Sequence, residues 1–68
     1  MGAATQIKEV LYDKRMKQTD LALAIGKDKQ YIYNALHRDS FSYEMVVQIA
    51  DALGCEVVFM DRETGKIY

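Results

Sequence analysis

The feature that most limits how this chain can fold is the tetrad Ile25-Gly26-Lys27-Asp28. A run with helical spacing stops at Gly26, and a second run starts behind Asp28. Glycine accepts the left-handed backbone that ends helices, and aspartate is a good N-cap for the next helix. Two helices joined this tightly must cross closely. The residues at such a crossing should be small or apolar, and Leu21, Ala22, Ile25 and Ile32 meet that demand. With Ile25 and Ile32 anchored in one core, the outer face of the second of these helices stays free. A free helix face of this kind fits a DNA major groove about 12 Å wide, and the pair forms a helix-turn-helix pattern.

The rest of the chain supports a mainly α domain of about four helices with a C-terminal β-hairpin. Residues 6–15 place Ile7, Val10 and Leu11 on one stripe, with Thr5 as the expected N-cap. Residues 18–25 form the second helix, with Asp20 in its first turn, where negative charge suits the helix dipole. Residues 29–37 form the third, with Ile32, Ala35 and Leu36 inward and Lys29, Gln30, Tyr31, Tyr33 and Asn34 on the remaining surface. Ser42 caps a fourth helix over 43–53, where Phe41 and Val46 make a hydrophobic staple. Its core stripe is Val46, Ile49, Ala50 and Leu53, and Gly54 stops it.

Residues 55–61 are β-branched and aromatic and read as a strand. Residues 62–65 read as a turn with Gly65 at positive φ, and 66–68 as a short return strand. Val57 and Phe59 face one side of this hairpin, Val58 and Met60 the other. A second apolar face needs a cover, so Val57, Val58, Phe59 and Met60 are the expected interface of a homodimer. The alternative is a hairpin folded over its own helices.

Size sharpens that expectation. The chain has 68 residues, a single domain over 1–68 with a helical part at 6–54 and the hairpin at 55–68. Chains this short bury a modest fraction of their surface and commonly need a staple. The single Cys55 cannot form an internal disulfide, and one Cys with one His cannot complete an all-N/S zinc site. Cys55 is expected to be a small buried apolar residue. No metal, cofactor or small-molecule ligand is indicated. No apolar run is long enough to span a membrane, residues 1–20 lack a signal-peptide centre, and a cytoplasmic location is expected.

At Met16-Lys17-Gln18-Thr19-Asp20-Leu21-Ala22, at Gly26 through Ile32 and at Val46 through Gly54, the chain resembles the Cro/phage-repressor (XRE-type) helix-turn-helix regulators. The resemblance covers roughly residues 6–54. It implies a lambda-repressor-like bundle and a sequence-specific DNA-binding regulator, a dimeric repressor of phage or prophage type. The two half-sites on DNA would lie about 34 Å apart. It also implies roles. Lys29 and Gln30 match positions that read base edges, and Tyr33 and Asn34 the next exposed turn. Gln18 matches a phosphate contact. Lys17, Lys27, Tyr31, Arg38, Ser40 and Tyr43 are placed for phosphates, which fix register without reading sequence. There are departures from the pattern. Lys17 stands where a capping Ser, Thr or Asn is usual, Ala35 where a larger aliphatic is common, and Leu23 where a polar residue is usual.

The net charge of −1 speaks against DNA only as an average. Residues 1–40 carry seven basic and five acidic residues, a net of +2; residues 41–68 carry two basic and five acidic, a net of −3. The acidic part should lie away from DNA. No Ser/His/Asp or Cys/His set points to an enzyme, and the sole His37 is read as solvated or phosphate-side. Tyr12 and Tyr43 fit either core or surface. A second reading is an antitoxin-like partner that binds a toxin and its own operator.

Overall fold

The computed structural model describes residues 2–68. Its four helices are α1 (Ala4–Lys14), α2 (Gln18–Ala24), α3 (Lys29–Arg38) and α4 (Tyr43–Ala52). The sequence spacing explains which faces turn inward. α1 buries Ala4, Ile7 and Leu11, α2 buries Leu21 and Ala22, and α3 buries Ile32, Ala35 and Leu36. From α4 only Ile49 is buried within the helix, with Leu53 at its C-cap. Leu21, Ile32 and Ile49 are the most completely covered, so the centre is built by one residue each from α2, α3 and α4. Burying one such side chain contributes about 1.5–3 kcal/mol. Ala22 is 2% exposed at the α2–α3 crossing, where a larger side chain would push the helices apart.

The turn is closed by its backbone. Gly26 has φ 73, and the Lys27 N–H donates to the Ala22 carbonyl at 2.8 Å. Asp28 accepts from the Tyr31 N–H at 2.8 Å, and Ser42 Oγ accepts from the Met45 N–H at 3.1 Å. The caps expected at Asp28 and Ser42 are therefore present. Lys17 has no acceptor to offer α2, so that helix keeps half a capping box: the Asp20 carboxylate accepts from the Lys17 N–H at 3.0 Å.

The start of α1 differs from expectation. The helix begins at Ala4, one residue ahead of Thr5, and its N-cap Ala3 has no side-chain acceptor. The cap comes from far along the chain. The Asp39 carboxylate accepts from the Gly2 N–H and the Ala4 N–H, each at 2.9 Å. Asp39 is itself the left-handed C-cap of α3 (φ 53), so one residue ends α3 and starts α1. A Cβ on Gly2 would meet that carboxylate, so a larger residue there requires the Asp39 side chain to move.

Phe41 and Met45 pack against the core. Val46 lines a cleft of about 260 Å³ with Ile7, Val10, Ile49, Ala50 and Val57. Cys55 is half-buried, with Sγ 3.7 Å from the Leu53 carbonyl. Tyr12, at 84% exposure, belongs to the surface, as does Leu23 at 79%.

The expected C-terminal β-hairpin is not formed as two strands. Among the described residues there is one isolated antiparallel bridge, Met60 with Ile67. The reversal itself is present. Gly65 has φ 75, Asp61 N–H donates to Lys66 O at 2.7 Å, and Tyr68 N–H donates to Phe59 O at 2.9 Å. Among the described residues no strand pairs with 55–58. An isolated two-stranded ribbon is marginal in water in any case. The C-terminal arm thus carries Val58, Phe59, Met60, Ile67 and Tyr68 exposed.

Candidate nucleic-acid interface

α3 is fixed at both ends and along its inner side. Asp28 caps its start, Asp39 ends it, and Ile32 and Leu36 hold it in the core. The residues left outside are the polar and aromatic ones. They stand in two rows of i, i+4 neighbours. In one row, Gln30 Nε2 donates to Asn34 Oδ1 at 3.1 Å. In the other, the Tyr33 and His37 rings stack with centroids 5.9 Å apart and planes 7° from parallel.

A hollow lies along each flank of this face. One, of about 260 Å³, is lined by Gln18, Thr19, Lys29, Gln30 and Tyr33. It joins the start of α2 to the start of α3. The other, of about 230 Å³, is lined by Tyr31, Asn34, Ala35, Arg38, Ser40 and Met45. Lys27 places its Nζ 5.2 Å from the Tyr31 ring centroid, a cation–π distance. Of the sequence-predicted residues, Lys29, Gln30, Tyr33 and Gln18 meet on the first flank, and Tyr31, Asn34, Arg38 and Ser40 on the second. Lys17 sits at the N-cap of α2. Tyr43 lies apart from both groups, lining a cleft with Asp51 and Glu56 at the first turn of α4. Val57, Val58, Phe59 and Met60 lie on the C-terminal arm.

The carboxylates around this face are engaged with backbone N–H groups. Asp20 takes the Lys17 N–H, Asp28 the Tyr31 N–H, and Asp39 those of Gly2 and Ala4. Each negative charge is thereby held at a helix start, where the dipole stabilises it. Lys17, Lys27, Lys29 and Arg38 remain as cations for an anionic partner. Among the described residues, the one carboxyl with a shifted titration lies elsewhere, in the arm. Asp61 is held below the usual carboxylate range, chiefly by the backbone N–H of Glu63 and then that of Thr64.

His37, expected as solvated or phosphate-side, is exposed on this face, and the Tyr33–His37 spacing puts two flat rings on one row. Among the described residues no group of His, Cys, Asp and Glu could hold a metal ion, and no helix is long and apolar enough to cross a membrane.

A closely crossed helix pair with a capped, outward-facing second helix defines a DNA-binding helix-turn-helix domain. The helix-turn-helix family model matches residues 7–60, and the chain belongs to that family of Cro/XRE-type DNA-binding regulators. No curated protein matches, and no solved structure matches.

Proposed function

We propose that this chain is a sequence-specific repressor of phage or prophage type that binds DNA as a dimer with α3 in the major groove. The observation that carries this reading is the outer face of α3: Lys29, Gln30, Tyr33 and Asn34 side by side on a helix capped by Asp28. Gln30 suits adenine and Lys29 guanine in the major groove. Gln18, Lys17, Lys27, Tyr31, Arg38 and Ser40 flank that face and serve the phosphates; Tyr43 joins them only if DNA wraps past α4. Dimerisation draws on the arm, where Val57, Val58, Phe59 and Met60 are exposed. A single helix face reads few base pairs, so two half-sites supply the specificity that one lacks.

The uncovered arm also fits the second reading, an antitoxin-like chain whose arm docks on a toxin. Selection of bound duplexes from a random pool, followed by titration at several salt concentrations, tests the main reading. A two-fold symmetric site and a log–log salt slope of about −0.9 per phosphate contact are expected. No enriched site, or binding indifferent to salt, overturns it. In sedimentation, Val58→Lys should yield monomers; an unchanged dimer moves the interface off the arm.

A further inference from the structure

We infer that Asn34 is a positioning residue that holds the Gln30 amide in place, so that Gln30 alone presents the donor–acceptor pair that reads adenine. This rests on the DNA-reading role of α3 and deepens it by dividing the labour between two neighbouring amides.

A glutamine amide has two N–H donors and one carbonyl oxygen. Gln30 spends one donor on Asn34 Oδ1 at 3.1 Å. One N–H and Oε1 remain, and these are what adenine requires, the N–H for N7 and the oxygen for the N6 amino group. Asn34 is placed differently. Its oxygen already accepts one bond and keeps one lone pair, but the residue is half-buried and lines the flank with Tyr31, Arg38 and Ser40. Its amide is therefore less open to a base edge than that of the exposed Gln30.

Order supplies the second step. Gln30 is exposed, and a free glutamine side chain loses rotamer freedom when it docks. The bond to Asn34, one helical turn along, removes part of that freedom in advance. Pre-ordering of this kind strengthens binding without any new contact to the partner. The adjacent row has the same form, with His37 stacked on Tyr33.

Two measurements test the assignment. In the free protein, NMR relaxation should show the wild-type Gln30 side-chain amide ordered. Asn34→Ala should loosen it, and Asn34→Asp, which keeps an acceptor for Gln30, should preserve the order. On the duplex selected by the wild-type chain, Asn34→Ala should relax preference at the same base pair as Gln30→Ala. The loss should be about fivefold, within the range of one immobilised side chain, and the double variant should lose no more than Gln30→Ala alone. Asn34→Asp should weaken all duplexes through phosphate repulsion yet keep the preference at that base pair. Equal mobility of the Gln30 amide in wild type and Asn34→Ala overturns the inference. So does relaxation at a different base pair, which would make Asn34 a reader in its own right. The parent reading fails separately, when the wild-type chain selects no duplex at all.

Discussion

α3 and the C-terminal arm both expose large side chains, but they expose them in different ways. On α3 three outward groups have a neighbour, Asn34 for Gln30, His37 for Tyr33 and Lys27 for Tyr31, where the arm has one such pair, Lys66 over Tyr68 at 4.9 Å. The helix beneath is tied at Asp28 and Asp39 and rooted by Ile32, which is 1% exposed. On the arm, Phe59 is 74% exposed and Met60 62%, and the backbone is held by one bridge and the turn behind it. An ordered polar surface is suited to hydrogen-bonded readout, where disorder would weaken every contact. A loosely held apolar surface gains most by being covered. The contrast teaches that exposure alone does not define a site; the restraint on the exposed group decides which partner it suits.

The largest effect expected on this contrast is in the core below α3. Leu21→Ala removes a fully buried side chain at the α2–α3 crossing and should cost about 2–5 kcal/mol. In a domain this small that is enough to unfold much of the population at ordinary temperature. Urea unfolding followed by circular dichroism measures it, and a loss below about 1 kcal/mol would mean that the crossing is loosely packed.

Next in size is Asp39, which ties the end of α3 to the start of α1. Asp39→Ala removes both bonds to the Gly2 and Ala4 N–H groups and should cost about 0.5–2 kcal/mol, the range of a lost N-cap. Hydrogen exchange should rise first at the start of α1. An unchanged exchange pattern there would show that Asp39 is no cap.

The arm should behave in the opposite way. Phe59→Ser is expected to change the unfolding free energy of the dilute chain by less than about 0.5 kcal/mol. It should nevertheless weaken concentration-dependent self-association in sedimentation. A stability loss as large as that of Leu21→Ala would place Phe59 inside a packed core and remove the contrast.

The smallest effect is a local one with pH. Asp61 Oδ1 accepts from the Glu63 N–H at 2.9 Å and from the Thr64 N–H at 3.2 Å. These bonds hold its carboxyl below the usual carboxylate range. A depressed carboxyl supports the fold fully above the unfolded value and loses that support as pH falls through the folded one. Shifts of Glu63 and Thr64 amides should therefore hold through mildly acidic pH and move only below the usual carboxylate range. Movement near neutral pH would contradict the assignment.

The helical part of the molecule could be read from sequence because its signals are local. Gly26 needs a left-handed backbone, Asp28 caps α3 and Ser42 caps α4, and the apolar spacing selects inner faces. The start of α1 could not be read this way, since its cap lies at Asp39, and nothing near Thr5 reports a contact that distant. The arm misled for a related reason. Alternating β-branched residues show that 55–61 can be a strand, but a strand exists only with a partner, and among the described residues only Met60 is paired, with Ile67. At the candidate interface, residue types and face were legible, whereas the Gln30–Asn34 bond and the Tyr33–His37 stack depend on rotamers that spacing permits without requiring.

The central claim is that the outer face of α3, and not the arm, meets DNA. Titrating the isotope-labelled protein with its selected duplex and following amide shifts tests it most directly. Changes should concentrate on residues 17–18, on the turn at Lys27 and along 29–40, with Gln30 among the largest. Shifts centred on 57–60, with α3 unmoved, would contradict the account.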